Sequence, residues 1–190
     1  MSNTVLMVVD VQNRLINEHP YNEKKVVGNI KKLIEAARNN EKEVIYVRHD
    51  DGEGTELEKG TYGWQIYDEI SPNSNEKIFD KKFNSAFIKT GLKEYLESKN
   101  IDTIILTGLQ TEYCIDATCK SAFEHEYKII IPEETNTTFD NEYLSGEKLY
   151  EFYNYKIWSN RFARVLSMNE VTEMPVSYTH LRAHETTLHL

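Results

Sequence analysis

Short apolar runs along the chain alternate with stretches in which apolar residues recur every three or four positions. Thr4 to Val9 is an almost continuous aliphatic and β-branched run that ends at Asp10, the pattern of a strand buried on both faces. Val26, Val27, Ile30, Leu33, Ile34 and Ala37 follow at helical spacing. Val44 to Val47 predicts a second buried strand, and Lys77 to Phe79 a short third. Ile88, Leu92, Tyr95 and Leu96 predict an amphipathic helix, followed by a strand at Thr103 to Leu106, a helix from Ile115 to Glu126 and a strand at Lys128 to Ile131. Leu149, Phe152 and Tyr153 predict a helix before a final strand at Ala163 to Leu166. Strands alternating with helices predict an α/β fold with a parallel sheet covered on both faces. The longest stretch without periodicity runs from Asp50 to Glu76 and holds Gly52, Gly54, Gly60, Gly63 and Pro72. It reads as a loop of the kind that often carries binding residues.

Composition narrows the partners. A net charge of -9 and an isoelectric point near 5.2 argue against nucleic acid, whose recognition needs clustered Lys and Arg. No apolar stretch approaches the roughly 18 to 20 residues that span a bilayer, so no membrane partner is expected. A small-molecule substrate is. The 190 residues fit one domain, expected over 1–174. Val176 to Thr186 looks like a translated sequencing adapter, so 175–190 reads as a non-native tail, and His180, His184 and His189 carry no weight as metal ligands. Two cysteines, and a start without the features of a secretory signal, predict a reduced cytoplasmic protein.

The chemistry concentrates in Thr107-Gly108-Leu109-Gln110-Thr111-Glu112-Tyr113-Cys114, which follows a predicted strand and opens a predicted helix. Backbone N–H groups at such a turn would stabilise a thiolate and a developing oxyanion, which makes Cys114 the best nucleophile candidate. Cys119 lies on the stripe of that helix with Ile115, Ala122 and Phe123 and reads as core. Asp10, His49 and the Cys114 turn all fall at predicted carboxyl ends of strands, where ligands of parallel sheets bind.

Val8-Val9-Asp10-Val11-Gln12-Asn13, then Lys81-Lys82-Phe83-Asn84-Ser85-Ala86-Phe87, then the Cys114 segment, in that order, resemble the isochorismatase-like cysteine hydrolases. The resemblance, from about Thr4 to Val171, implies three α/β/α layers around a six-stranded parallel sheet of order 3-2-1-4-5-6. It implies Asp10 as general acid/base, Lys81 as electrostatic partner and Cys114 as nucleophile. The motif spacing selects Lys81 over Lys82. It also implies a cis peptide at Leu109-Gln110 and an oxyanion hole from the backbone N–H groups of Gln110 and Cys114.

The cysteine points to the amidase branch of that family, which attacks a C–N bond through a thioester. Nicotinamidases of that branch carry a metal held by an aspartate and closely spaced histidines after the second strand. Here only His49 stands in that region, so neither a metal nor another cofactor is expected. His49-Asp50-Asp51, with Lys59 to Trp64, instead resembles a metal-free group of cysteine hydrolases. Gln12, His49, Trp64, Gln110 and Tyr113 are its candidate pocket residues, whereas Asp50, Asp51 and Glu53 lack calcium-loop spacing and read as solvated acids. The expected activity is hydrolysis of a small amide, ureido or carbamoyl compound by a homodimer or homotetramer. A non-enzymatic, redox-sensing thiol protein on the same fold is the alternative. A receiver-like phosphoacceptor domain would leave the Cys114 turn without a role.

Overall fold

The computed structural model describes residues 3–174. The first apolar run forms strand β1 (Thr4–Val9), whose alternation divides the interior in two. Val5, Met7 and Val9 face one side of the sheet, and Leu6 and Val8 the other. After the short helix α1 (Asn13–Ile16), helix α2 (Glu23–Asn39) covers the Leu6 side with Val26, Val27, Ile30, Leu33 and Ile34. Each such side chain contributes about 1.5–3 kcal/mol by leaving water. Then come β2 (Glu43–His49), β3 (Lys77–Lys81), α3 (Leu92–Ser98), β4 (Thr103–Leu109) and α4 (Asp116–Glu124). Leu92 and Leu96 of α3 and Cys119 and Ala122 of α4 pack on the Val5 side, completing three layers.

The chain continues through β5 (Lys128–Pro132), β6 (Asn136–Thr137), α5 (Gly146–Glu151), β7 (Arg164–Leu166) and α6 (Met168–Thr172). The sheet runs β3-β2-β1-β4-β5-β7, with β6 paired to β4, and the pairings of its strands are parallel. The expected order of six strands therefore gains one. β5 pairs with the start of β4 and β6 with its end, so β6 continues the lane of β5 after a turn. Its residues are polar and carry no apolar run, which is why periodicity does not reveal it.

Two helix boundaries also move. Ile88 lies outside α3 and is partly exposed, because Gly91, in the left-handed region at φ 75°, starts the helix at Leu92. Ahead of α4 stands a π-helical turn, Thr111–Ile115, and after α5 a second one, Phe152–Trp158. Among the described residues no helix is long and apolar enough to cross a membrane. The stretch expected to be a non-native tail, 175–190, lies outside the described residues.

Candidate active site

The strand order reverses between β1 and β4, and ligands of such sheets sit at the carboxyl ends beside that point. β1 ends at Val9, after which Asp10 takes the left-handed conformation at φ 54° that few residue types other than Asn and Asp adopt readily. On one flank, His49 at the end of β2 is in register with Lys81 at the end of β3, so both side chains leave the sheet on the same side. On the other flank, Gly108 of β4 is in register with Val9. Gly108 has φ 125°, and a Cβ there would lie 1.9 Å from the Val9 carbonyl oxygen, so only glycine allows this approach.

Beyond Gly108 the Leu109-Gln110 peptide is cis. The chain then enters the π-helical turn, where the Gln110 carbonyl accepts from the N–H groups of Tyr113 and Ile115, both at 3.1 Å. Turns of this type recur at functional sites. Cys114 lies in it, two residues ahead of α4 rather than in the first turn of an α-helix. A buried network fixes the turn from behind. Thr111 Oγ1 donates to Asn136 Oδ1 at 2.9 Å, and the amides of Asn136 and Asn154 bond reciprocally at 2.9 and 3.0 Å.

These strand ends converge on one ammonium. Lys81 Nζ donates to Asp10 Oδ2 at 2.7 Å, to His49 Nδ1 at 2.9 Å and to Cys114 Sγ at 3.2 Å. Relative exposure is 2% for Lys81, 1% for Asp10 and 8% for Cys114, so water does not screen the group. Lys82 instead points outward and reaches Asp50 at 3.5 Å. Asp10 Oδ1 is buried without a hydrogen-bond partner among the described residues, an acceptor free for a proton or a substrate N–H. At the mouth, Asn84 Oδ1 lies 3.9 Å from Cys114 Sγ.

The electrostatics correct the thiolate expected from chain position. Burial pushes the Cys114 thiol well above its ordinary value, the charge of Asp10 adds to the shift, and Lys81 offsets it only in part. Burial acts to lower the Lys81 ammonium, but Asp10 and Cys114 outweigh it and hold Lys81 above the usual lysine value.

Asp10, His49 and Cys114 offer ligand atoms within 4.8 Å of one another, the kind of donor set that could hold a metal. Each of the three also accepts from the Lys81 ammonium. The remaining expected residues are placed differently. Gln12 is fully buried, with Nε2 donating to the carbonyls of His49 (3.0 Å) and Trp64 (2.8 Å) and Oε1 accepting from the His49 N–H (2.9 Å). Its carboxamide is committed to the backbone of His49 and Trp64. Trp64 is buried under the Arg48 guanidinium, 3.5 Å from the ring centroid, and anchors the 50–76 loop. Tyr113 is 51% exposed. Cys119 is fully buried in the core.

Two neighbours escape sequence reasoning. Asp51 is exposed, as a solvated acid should be, but its Oδ1 also lies 2.9 Å from His49 Nε2. Asn84 lies inside the quoted Lys81 motif without any signal that its side chain faces the cysteine. An apolar groove of about 420 Å³ at the amino ends of β1 and β4, lined by Leu6, Leu33, Ile105 and Val171, shares no residue with this cluster.

Comparison with known proteins places the chain in a family. Residues 4–170 match the family model described as the isochorismatase domain. The streptothricin hydrolase of Streptomyces noursei is 26% identical over 71% of this chain, and the match spans half of that relative's length. The ureidoacrylate amidohydrolase of Rhizobium rhizogenes is 24% identical over 90% of this chain and 87% of its own. Among solved structures, N-carbamoylsarcosine amidase from Thermoplasma acidophilum is 27% identical with a TM-score of 0.72, covering 89% of this chain and 98% of that one.

Proposed function

This chain belongs to the isochorismatase family, and from that premise we propose that it is a cysteine-dependent hydrolase cleaving the C–N bond of a small amide, ureido or carbamoyl compound through a thioester. The observation that carries the reading is the buried cluster in which Lys81 Nζ stands 2.7 Å from Asp10 and 3.2 Å from Cys114. The named relatives support the substrate class. Ureidoacrylate and N-carbamoylsarcosine both carry a carbonyl carbon bonded to nitrogen on both sides.

Asp10 accepts the Cys114 proton as sulfur attacks the carbonyl carbon, and the backbone N–H groups of Gln110 and Cys114 hold the oxyanion. Asp10 then protonates the departing nitrogen and later takes a proton from the water that hydrolyses the thioester. Through these steps the proton moves inside the cluster, so the site never carries a lone buried charge, which would be costly. Lys81 remains an ammonium and supplies the positive charge, so neither metal nor organic cofactor enters the scheme. Asn84, beside the sulfur, is positioned to orient the amide of the substrate.

The redox-sensing alternative is weaker, because oxidation selects ionised, exposed thiols, whereas Cys114 is buried and its thiol is raised by that burial. Both cysteines are free, in keeping with the cytoplasmic location we assign. We also assign a homodimer or homotetramer, for which the half-exposed Phe152 and Tyr155 supply an apolar surface. The test is ammonia release over a panel of small ureides and carbamoyl compounds, with the Cys114→Ala protein as blank, and mass spectrometry of the Cys114 peptide under turnover. Release that survives in the blank overturns the reading.

A further inference from the structure

We infer that His49 is a positioning residue for Lys81, locked in one tautomer by Asp51; the inference rests on the hydrolase reading above. Lys81 Nζ lies 2.9 Å from His49 Nδ1, and an ammonium has three donors and no lone pair. Nδ1 must therefore accept. The ring hydrogen is then on Nε2, where it donates to Asp51 Oδ1 at 2.9 Å. The opposite tautomer, or a doubly protonated ring, would set N–H against N–H inside the cluster.

The backbone of His49 is held as firmly as its ring. Its N–H and carbonyl both bond the Gln12 carboxamide, and its strand register places it beside Lys81. The three N–H bonds of Lys81 thus each have one acceptor: Asp10, His49 and Cys114. With His49 removed, the ammonium keeps two acceptors for three donors and can rotate. The arrangement matters most during the reaction. When Asp10 takes the thiol proton, the negative charge passes from the carboxylate to the sulfur, and the neutral Nδ1 keeps the ammonium beside it. Outer partners that orient metal ligands are worth about 10- to 100-fold, and an effect of that order is expected for a residue that orients the ammonium.

Three measurements test the inference. In the parent protein, nitrogen NMR of labelled histidine should find His49 protonated at Nε2 and bare at Nδ1; a proton on Nδ1 overturns the inference. His49→Ala should lower kcat about 10- to 100-fold with KM within about twofold, and His49→Asn, which restores an acceptor near Nδ1, should recover most of the loss. An unchanged kcat, a change confined to KM, or no recovery with Asn overturns it. The third arm needs no substrate: Cys114 alkylation by iodoacetamide, with the Cys114→Ala protein as blank, should slow in His49→Ala and recover in His49→Asn, and equal rates overturn the inference. If no compound is turned over, the hydrolase reading fails while the NMR and alkylation arms still judge His49. If His49→Ala does not fold, the parent spectrum decides.

Discussion

Cys114, Asp10 and Lys81 meet across 33 and 71 positions of sequence, and each sets the charge state of the others. Because burial and Asp10 raise the thiol, its reactivity should follow a different pH course from that of an ordinary cysteine. The alkylation rate of folded Cys114 should keep rising above pH 9.0, the ordinary thiol value, whereas the denatured chain levels off near it. A folded-state midpoint below 9.0 would contradict the described electrostatics. The paired lysines give a sharper contrast. Lys81→Met strands the Asp10 carboxylate in a buried site and should cost about 3–5 kcal/mol of stability together with activity. Lys82→Met, at a surface position, should change stability by no more than about 0.5 kcal/mol. Urea unfolding of the two variants separates them. At this scale Asp10, Lys81 and Cys114 were legible because they sit in motifs that resemble a family's, whereas Asp51, though only two residues from His49, and Asn84 stand in no pattern that says which way their side chains turn.

Among the elements, the approach of β4 to β1 and the turn that follows it carry the site. Gly108→Ala would combine a left-handed backbone with a Cβ 1.9 Å from the Val9 carbonyl oxygen and should cost at least about 3 kcal/mol. Thermal unfolding would read this loss, and a melting temperature equal to the parent's would mean that β4 does not pass β1 as described. The network behind the turn acts at the same level. Asn136→Ala leaves the Asn154 amide and the Thr111 hydroxyl short of buried partners and should cost about 1–3 kcal/mol for each group left unsatisfied. Because Thr111 opens the turn that bears Cys114, kcat should fall with it; a variant that loses stability and keeps full kcat would detach this network from the site. Apolar periodicity found the strands that build the sheet but missed β6, whose buried residues are satisfied by hydrogen bonds instead of apolar packing.

For the molecule as a whole, burial acts in one direction on many weak acids. Cys119 and Tyr95 are both pushed up to about 12 by burial first, and Tyr46, Tyr155 and Cys114 are also raised. A group whose value is raised in the folded state contributes stability that is complete below its unfolded value and lost as pH climbs through its folded value. The unfolded chain releases these protons near 9.0 for thiols and 10.0 for phenols, so stability should fall steadily from about pH 9 toward 12. Urea midpoints at pH 8 and pH 10.5 measure the effect, and a midpoint that does not drop at the higher pH contradicts it. The layered α/β architecture was legible in advance because alternation of strand and helix leaves few ways to cover a parallel sheet.

Sequence alone determined the order and type of the main elements and the motif that bears Cys114, because periodicity and spacing are local properties of a chain; resemblance favoured Lys81 over Lys82, and the fold turns the first into the cluster and the second outward. Tertiary structure alone decided that burial and Asp10 raise the Cys114 thiol, that Gln12 braces backbone, and that Asp51 reaches the cluster through His49. Those facts depend on burial and on partners from distant segments, which no local pattern encodes.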